Sequence, residues 1–154
     1  MDIPLLEELR RFNNLIGEMD GVYHEASLKL GLSDSAMRVL YAVCNAGDRC
    51  PLRTVCCQSA LSKQTVNSAI RKLEEEGVVY LEPAGGRSKD VCLTELGRET
   101  VRRKVLPLMK IENEIYASWT REELQSYLEL TERFLTALKE KTKGLEEIKG
   151  PAGR

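Results

Sequence analysis

The chain has 154 residues, 42% of them apolar and 31% charged, with a net charge of −1. That is the composition of one ordinary globular domain, not of a disordered chain. No apolar run approaches the roughly 20 residues a bilayer-spanning helix needs. The start Met1-Asp2-Ile3-Pro4-Leu5-Leu6-Glu7-Glu8 lacks the basic and apolar regions of an export signal, so the expected location is cytoplasmic.

Five cysteines (Cys44, Cys50, Cys56, Cys57, Cys92) form an odd set without C-x-x-C spacing, which argues against a disulfide framework. A single histidine, His24, supplies too few nitrogen ligands for zinc, and no metal or cofactor is expected. The near-neutral charge hides an asymmetry. Residues 49–104 carry eleven Lys/Arg against seven Asp/Glu, a balance of +4, and the flanks carry twelve against seventeen, a balance of −5. A basic middle between acidic ends suits a protein whose central part faces a polyanion.

Leu5, Leu9, Phe12, Ile16, Met19 and Tyr23 recur at three- and four-residue steps, predicting a long amphipathic helix over residues 4–29 that Gly31 ends. Ser33 or Asp34 caps a second helix with Met37, Leu40, Tyr41 and Cys44 on one face, closed by Gly47-Asp48. Pro51 suits the first turn of a short third helix across Leu52–Cys57. Ser62 is the expected N-cap of a fourth, in which Val66, Ala69, Ile70 and Leu73 stand at i, i+3, i+4 and i+7, and Gly77 is its C′ residue.

The period then changes. Val78–Leu81 and Val91–Leu93 are short β-prone runs joined by a basic, glycine-containing loop, residues 82–90, which predicts a hairpin. Thr94 caps a long helix to about Trp119, kinked at Pro107. Thr120-Arg-Glu-Glu123 is a capping box opening a last helix, with Leu124, Tyr127, Leu128, Thr131, Phe134, Leu135 and Leu138 along one face. Residues 146–154 read as a tail.

The order of elements describes a mainly α protein with a small β-hairpin wing: a winged helix-turn-helix flanked by N- and C-terminal dimerisation helices. Residues 33–97 form the expected DNA-binding lobe, and residues 1–30 with 98–145 the helical dimerisation region. In the fourth helix Lys63, Gln64, Asn67, Ser68 and Arg71 fall within an arc of roughly 140° opposite the apolar stripe. Gln64 and Asn67 offer the paired donor and acceptor that adenine requires, and Arg71 or Lys63 suits guanine or phosphate. Glu74-Glu75-Glu76 would repel phosphate, so the helix enters a groove by its N-terminal half. The hairpin tip sets Arg87 and Lys89 beside Gly85-Gly86, a form suited to a minor groove. Arg53, Ser62 and Thr65 complete the expected DNA contacts.

The stretch SKQTVNSAIRKLEEEG from Ser62 to Gly77, followed by RSKDVCLTELG from Arg87 to Gly97, resembles the MarR family of bacterial transcriptional regulators. The resemblance implies an obligate homodimer held by first and last helices, with recognition helices in consecutive major grooves of a near-palindromic operator and wings in adjacent minor grooves. It places Arg87 as the wing arginine. Two departures stand out: Gly85 occupies the place of an Asp that commonly orients that arginine, and Ser59 the place of an apolar residue.

The resulting expectation is a ligand-responsive repressor acting as a homodimer on double-stranded DNA. His24 and Tyr41 are the candidate polar groups of an effector cavity. The competing readings are a thiol-based redox regulator, with Cys50 beside Arg49 as the reactive thiol, and a winged-helix module that binds protein. With no phosphate loop or nucleophile motif, no catalytic residue is assigned and an enzyme is not expected.

Overall fold

The computed structural model describes residues 6–145. The tail expected at 146–154 and the start of the first predicted helix lie outside the described residues. Two compact units divide at Lys110 and Ile111.

The first unit begins with α1 (Glu7–Lys29), followed by α2 (Asp34–Asn45). Ser33 is the α2 N-cap, its hydroxyl accepting from the Ala36 amide. This helix is the centre of the core: Met37, Val39, Leu40, Ala42 and Val43 are all buried, three of them completely. A short strand, β1 (Arg49–Pro51), comes next, then α3 (Leu52–Ser59). Pro51 ends the strand and stands just ahead of α3, instead of in its first turn as predicted.

The turn into α4 (Lys63–Glu75) passes through Ala60, which holds the left-handed conformation at φ 54°. A non-glycine residue adopts that conformation only where its surroundings enforce it. Ser62 caps α4 by accepting from Thr65 N at 3.1 Å. Val66, Ala69, Ile70 and Leu73 are buried, as their spacing predicts.

Strands β2 (Val79–Pro83) and β3 (Lys89–Leu93) form the hairpin, longer at its tip end than the sequence pattern suggested. The sheet order is β1-β3-β2, antiparallel throughout. Side chains alternate between its faces. Cys50, Val79, Val91 and Leu93 enter the core, while Arg49, Tyr80, Glu82, Asp90 and Cys92 share the opposite face.

Thr94 then caps α5 (Glu95–Lys104). Its hydroxyl accepts from Gly97 N at 2.9 Å and lies against the carbonyls of Gly77 and Val78, to which it gives its one proton. Gly97 is obligatory here: a Cβ would stand 2.0 Å from the Val78 oxygen. The predicted long helix is broken at Val105, where α6 (Leu106–Ala117) starts with Pro107 in its first turn. Val101, Val105 and Leu108 close the core.

In the second unit, α7 (Arg121–Thr142) opens with the predicted capping box. The Glu123 amide donates to Thr120 Oγ1 at 3.1 Å and the Thr120 amide to Glu123 Oε2 at 2.8 Å. Tyr116, Trp119 and Tyr127 pack edge-on around the bend, with Trp119 5.3 Å from each tyrosine. No residue of α7 is buried within the single chain; Leu128, Leu130, Leu135 and Leu138 are each about half exposed.

Candidate nucleic-acid interface and a neighbouring cleft

Helix α4 fixes two faces of opposite character. Burying Val66, Ala69, Ile70 and Leu73 forces Lys63, Gln64, Asn67, Ser68 and Arg71 outward, and all five are exposed. Ser62 and Thr65 have a different occupation. Their hydroxyls lie 2.8 Å apart, and Ser62 is engaged with the helix end, so both are built into the cap as well as exposed. Among the described residues, the side chains of Arg53, Lys63, Gln64, Asn67, Ser68, Arg71, Arg87 and Lys89 make no hydrogen bond or ion pair. Such long polar side chains are ready to exchange water for a partner at small cost in broken contacts.

Backbone hydrogen bonds close the hairpin tip. Ala84 N donates to the Ser88 carbonyl at 3.0 Å and Ser88 N to the Gly85 carbonyl at 3.1 Å. Gly85 and Gly86 take φ of 99° and 57°, conformations that glycine adopts without steric cost. Arg87 projects from this closed turn. Lys89 is the first residue of β3, paired with Pro83, and stands at the base of the tip.

Between α1, α2 and the end of α3 lies a cleft of about 490 Å³. Tyr23, Met37, Arg38, Tyr41 and Leu108 line it together with Gln58 and Ser59, the end of α3. Such a concave, mostly apolar site with a few polar groups suits a small molecule. Tyr41 is on its wall as expected. His24 is not among the lining residues, although its Nδ1 lies 2.8 Å from Oδ2 of Asp34, which is, and so ties α1 to the start of α2 at the cleft's edge. Arg38 was missed. It is the single charged residue between Ser35 and Cys44, a signal legible in the sequence. Its Nη1 donates to the Ser59 carbonyl at 3.1 Å.

The structure also corrects the reading of Cys50. That side chain is completely buried and faces the core, whereas Arg49 lies on the other face of the sheet with its guanidinium on Asp90 and Glu82. Burial, and secondarily Asp90, pushes the Cys50 thiol above its ordinary range, the opposite of activation. Burial raises Cys44 and Cys92 likewise. Cys57 is the exposed thiol among the five. Among the described residues no group of three His, Cys, Asp or Glu side chains is arranged to hold a metal ion, and no helix is long and apolar enough to cross a membrane.

The MarR family model matches residues 30–88, from the end of α1 through the hairpin tip. A solved MarR-family transcriptional regulator from Silicibacter pomeroyi is 28% identical, with a TM-score of 0.65 over 87% of this chain and 90% of that one. The chain is thus similar to the MarR family over residues 30–88 and shares that fold over most of its length.

Two more distant solved structures share the fold. A MarR-family regulator from Streptomyces coelicolor, determined in complex with DNA, is 18% identical (TM-score 0.66; 90% of this chain, 92% of that). The regulator NadR, determined in complex with 4-hydroxyphenylacetate, is 12% identical (TM-score 0.68; 87% and 96%). No curated protein matches by sequence. By likeness to these winged-helix structures α3 and α4 correspond to the helix-turn-helix, and β2 with β3 to the wing.

Proposed function

We propose that this chain is a MarR-family protein: a cytoplasmic, sequence-specific DNA-binding regulator of transcription, a repressor that acts as a homodimer and releases its operator when a small molecule binds. One observation carries the reading. The outward face of α4 presents Lys63, Gln64, Asn67, Ser68 and Arg71 without partners among the described residues, and Arg87 does the same on the wing. A protein-docking winged helix would instead expose an apolar α4 face. Gln64 and Asn67 read base edges, Arg71, Lys63 and Arg53 meet phosphates or guanine, and Arg87 and Lys89 serve the minor groove and its rim.

Dimerisation is supported by the apolar surface of α1 and, separately, of α7. Leu15, Ile16, Met19 and Val22 on the first, and Leu128, Leu130, Leu135 and Leu138 on the second, remain exposed in the single chain. Patches of that kind mark association surfaces. The cleft supports the ligand response, since α1, α2 and the end of α3 all line it. A ligand that binds best when the two recognition helices are wrongly spaced draws the population away from the operator-competent state.

Selection of bound fragments from random duplex DNA, followed by titration at several salt concentrations, tests the reading. A palindromic motif with half-sites about one helical turn apart, roughly 10–10.5 bp, is expected. Affinity should fall steeply with salt as counterions return to the phosphates. A flat salt response or no enriched motif overturns it.

A further inference from the structure

On the solvent face of the sheet, one cation reaches across all three strands. Arg49 on β1 donates from Nε to Asp90 Oδ2 on β3 at 2.6 Å, and from Nη1 to Glu82 Oε2 on β2 at 2.8 Å. Glu82 and Asp90 are direct cross-strand partners. Like charges so placed repel and push a hairpin apart. They also sit one register step below the last strand pair, Pro83 with Lys89, and thus just behind the tip that carries Arg87. A bare acid pair there would oppose any approach to phosphate. Beneath the guanidinium, Cys92 is buried although it lies on the outer face, and Tyr80 flanks it. Asp90 is largely covered, its side chain 13% exposed.

We propose that Arg49 is a positioning residue for the wing: by bridging Asp90 and Glu82 it fastens the hairpin to β1 and so fixes the direction in which Arg87 is presented to DNA. The inference rests on the DNA-binding reading for its consequence, but not for its mechanics. A typical exposed ion pair contributes little. This one differs because a single planar guanidinium serves two carboxylates on two strands, which resists both splaying and twisting.

Two measurements test it. The first needs no DNA: amide hydrogen exchange in free wild-type protein and in Arg49→Ala. Exchange across Val79–Leu93 should rise about fivefold or more, with α2 and α4 unchanged, because local opening is released without global unfolding. Unchanged hairpin exchange, or equal acceleration everywhere, overturns the proposal. Arg49→Ala combined with Glu82→Gln and Asp90→Asn should recover part of the protection, since the repulsion is gone.

The second is a double-mutant cycle on the selected operator with Arg87→Ala. If Arg49 acts through Arg87, the double variant binds no worse than about twofold below the weaker single variant. Fully additive losses would make Arg49 a direct phosphate contact and overturn its positioning role. Arg49→Lys, which can hold one carboxylate at a time, should fall between wild type and Arg49→Ala, and serves if the alanine variant does not fold. Should wild-type protein bind no duplex at all, the regulator reading fails while hairpin exchange still decides the mechanical claim.

Discussion

The Arg38 guanidinium donates a 3.1 Å hydrogen bond to the backbone carbonyl of Ser59, joining the middle of α2 to the last residue of α3. Ser59 precedes Ala60, whose left-handed backbone sets the angle between α3 and α4. Arg38 also lines the cleft. A cleft-wall side chain therefore holds the turn between α3 and α4.

Replacing Arg38 by Met keeps most of the apolar stem and removes the donor. Losing one hydrogen bond of this kind costs about 1 kcal/mol. Operator affinity should drop roughly fivefold while the melting temperature shifts by only a few degrees. Fluorescence anisotropy beside thermal denaturation separates the two, and an unchanged affinity would remove Arg38 from the coupling.

Recognition and capping should come apart on α4. Gln64→Ala or Asn67→Ala should cost on the order of 1–3 kcal/mol on the best site and broaden the selected motif. Ser62→Ala should cost about 1 kcal/mol of folding stability through the lost cap, leaving base preference intact. Repeated selection on each variant reads the difference. An unaltered motif for Gln64→Ala and Asn67→Ala would assign recognition elsewhere.

Gly97→Ala tests the joint between wing and α5. The added methyl would meet the Val78 carbonyl at 2.0 Å, a backbone atom that cannot rotate aside. Overpacking of this kind costs about 1–3 kcal/mol, expected as a clear fall in denaturant midpoint with the thiols reduced. Gly17→Ala, where a Cβ meets nothing within 4 Å, is the matched control and should stabilise α1 slightly.

Charge on the apolar face of α7 should dissolve the dimer. Leu128→Glu places a carboxylate where a second copy is proposed to pack, and a buried unpaired charge is strongly destabilising. Sedimentation should show monomer or aggregate for the variant and dimer for wild type. A wild-type monomer would contradict the proposed assembly.

The thiols should react in order of exposure. Iodoacetamide mapping on folded protein should label Cys57 first and Cys50 last. The raised thiols also give a pH dependence with a definite sign. Unfolded thiols titrate near 9.0, and burial holds Cys44, Cys50 and Cys92 above that in the fold. The folded state then keeps protons the unfolded state has lost, so stability is full below about 9 and declines as pH rises through the folded values. Denaturant midpoints measured from pH 8 to 10 check this.

The helices were legible because burial imposes a period: Val66, Ala69, Ile70 and Leu73 could only be one face of a helix, and Ser62, Thr94 and Thr120 announced where helices begin. The polar face of α4 followed by subtraction. Strand β1 was not legible, since three residues ending in Pro51 show no alternation, and its pairing with β3 depends on a hairpin over 30 residues away. For the same reason Arg49 read as a neighbour of Cys50, when adjacent strand residues point to opposite faces. His24 was assigned by its place late in α1, which cannot say toward which neighbour a ring turns.

Thr94, the residue that follows β3, joins the entry of β2 to the first turn of α5 with one hydroxyl. Like the Arg49 bridge, it is a joint that the tip residues, Ala84–Ser88, do not help to make. The reach of the wing is thus a modular length: residues can be added or removed at the tip while the lobe keeps its stitching. A change in how far Arg87 projects therefore leaves the packing of the lobe untouched.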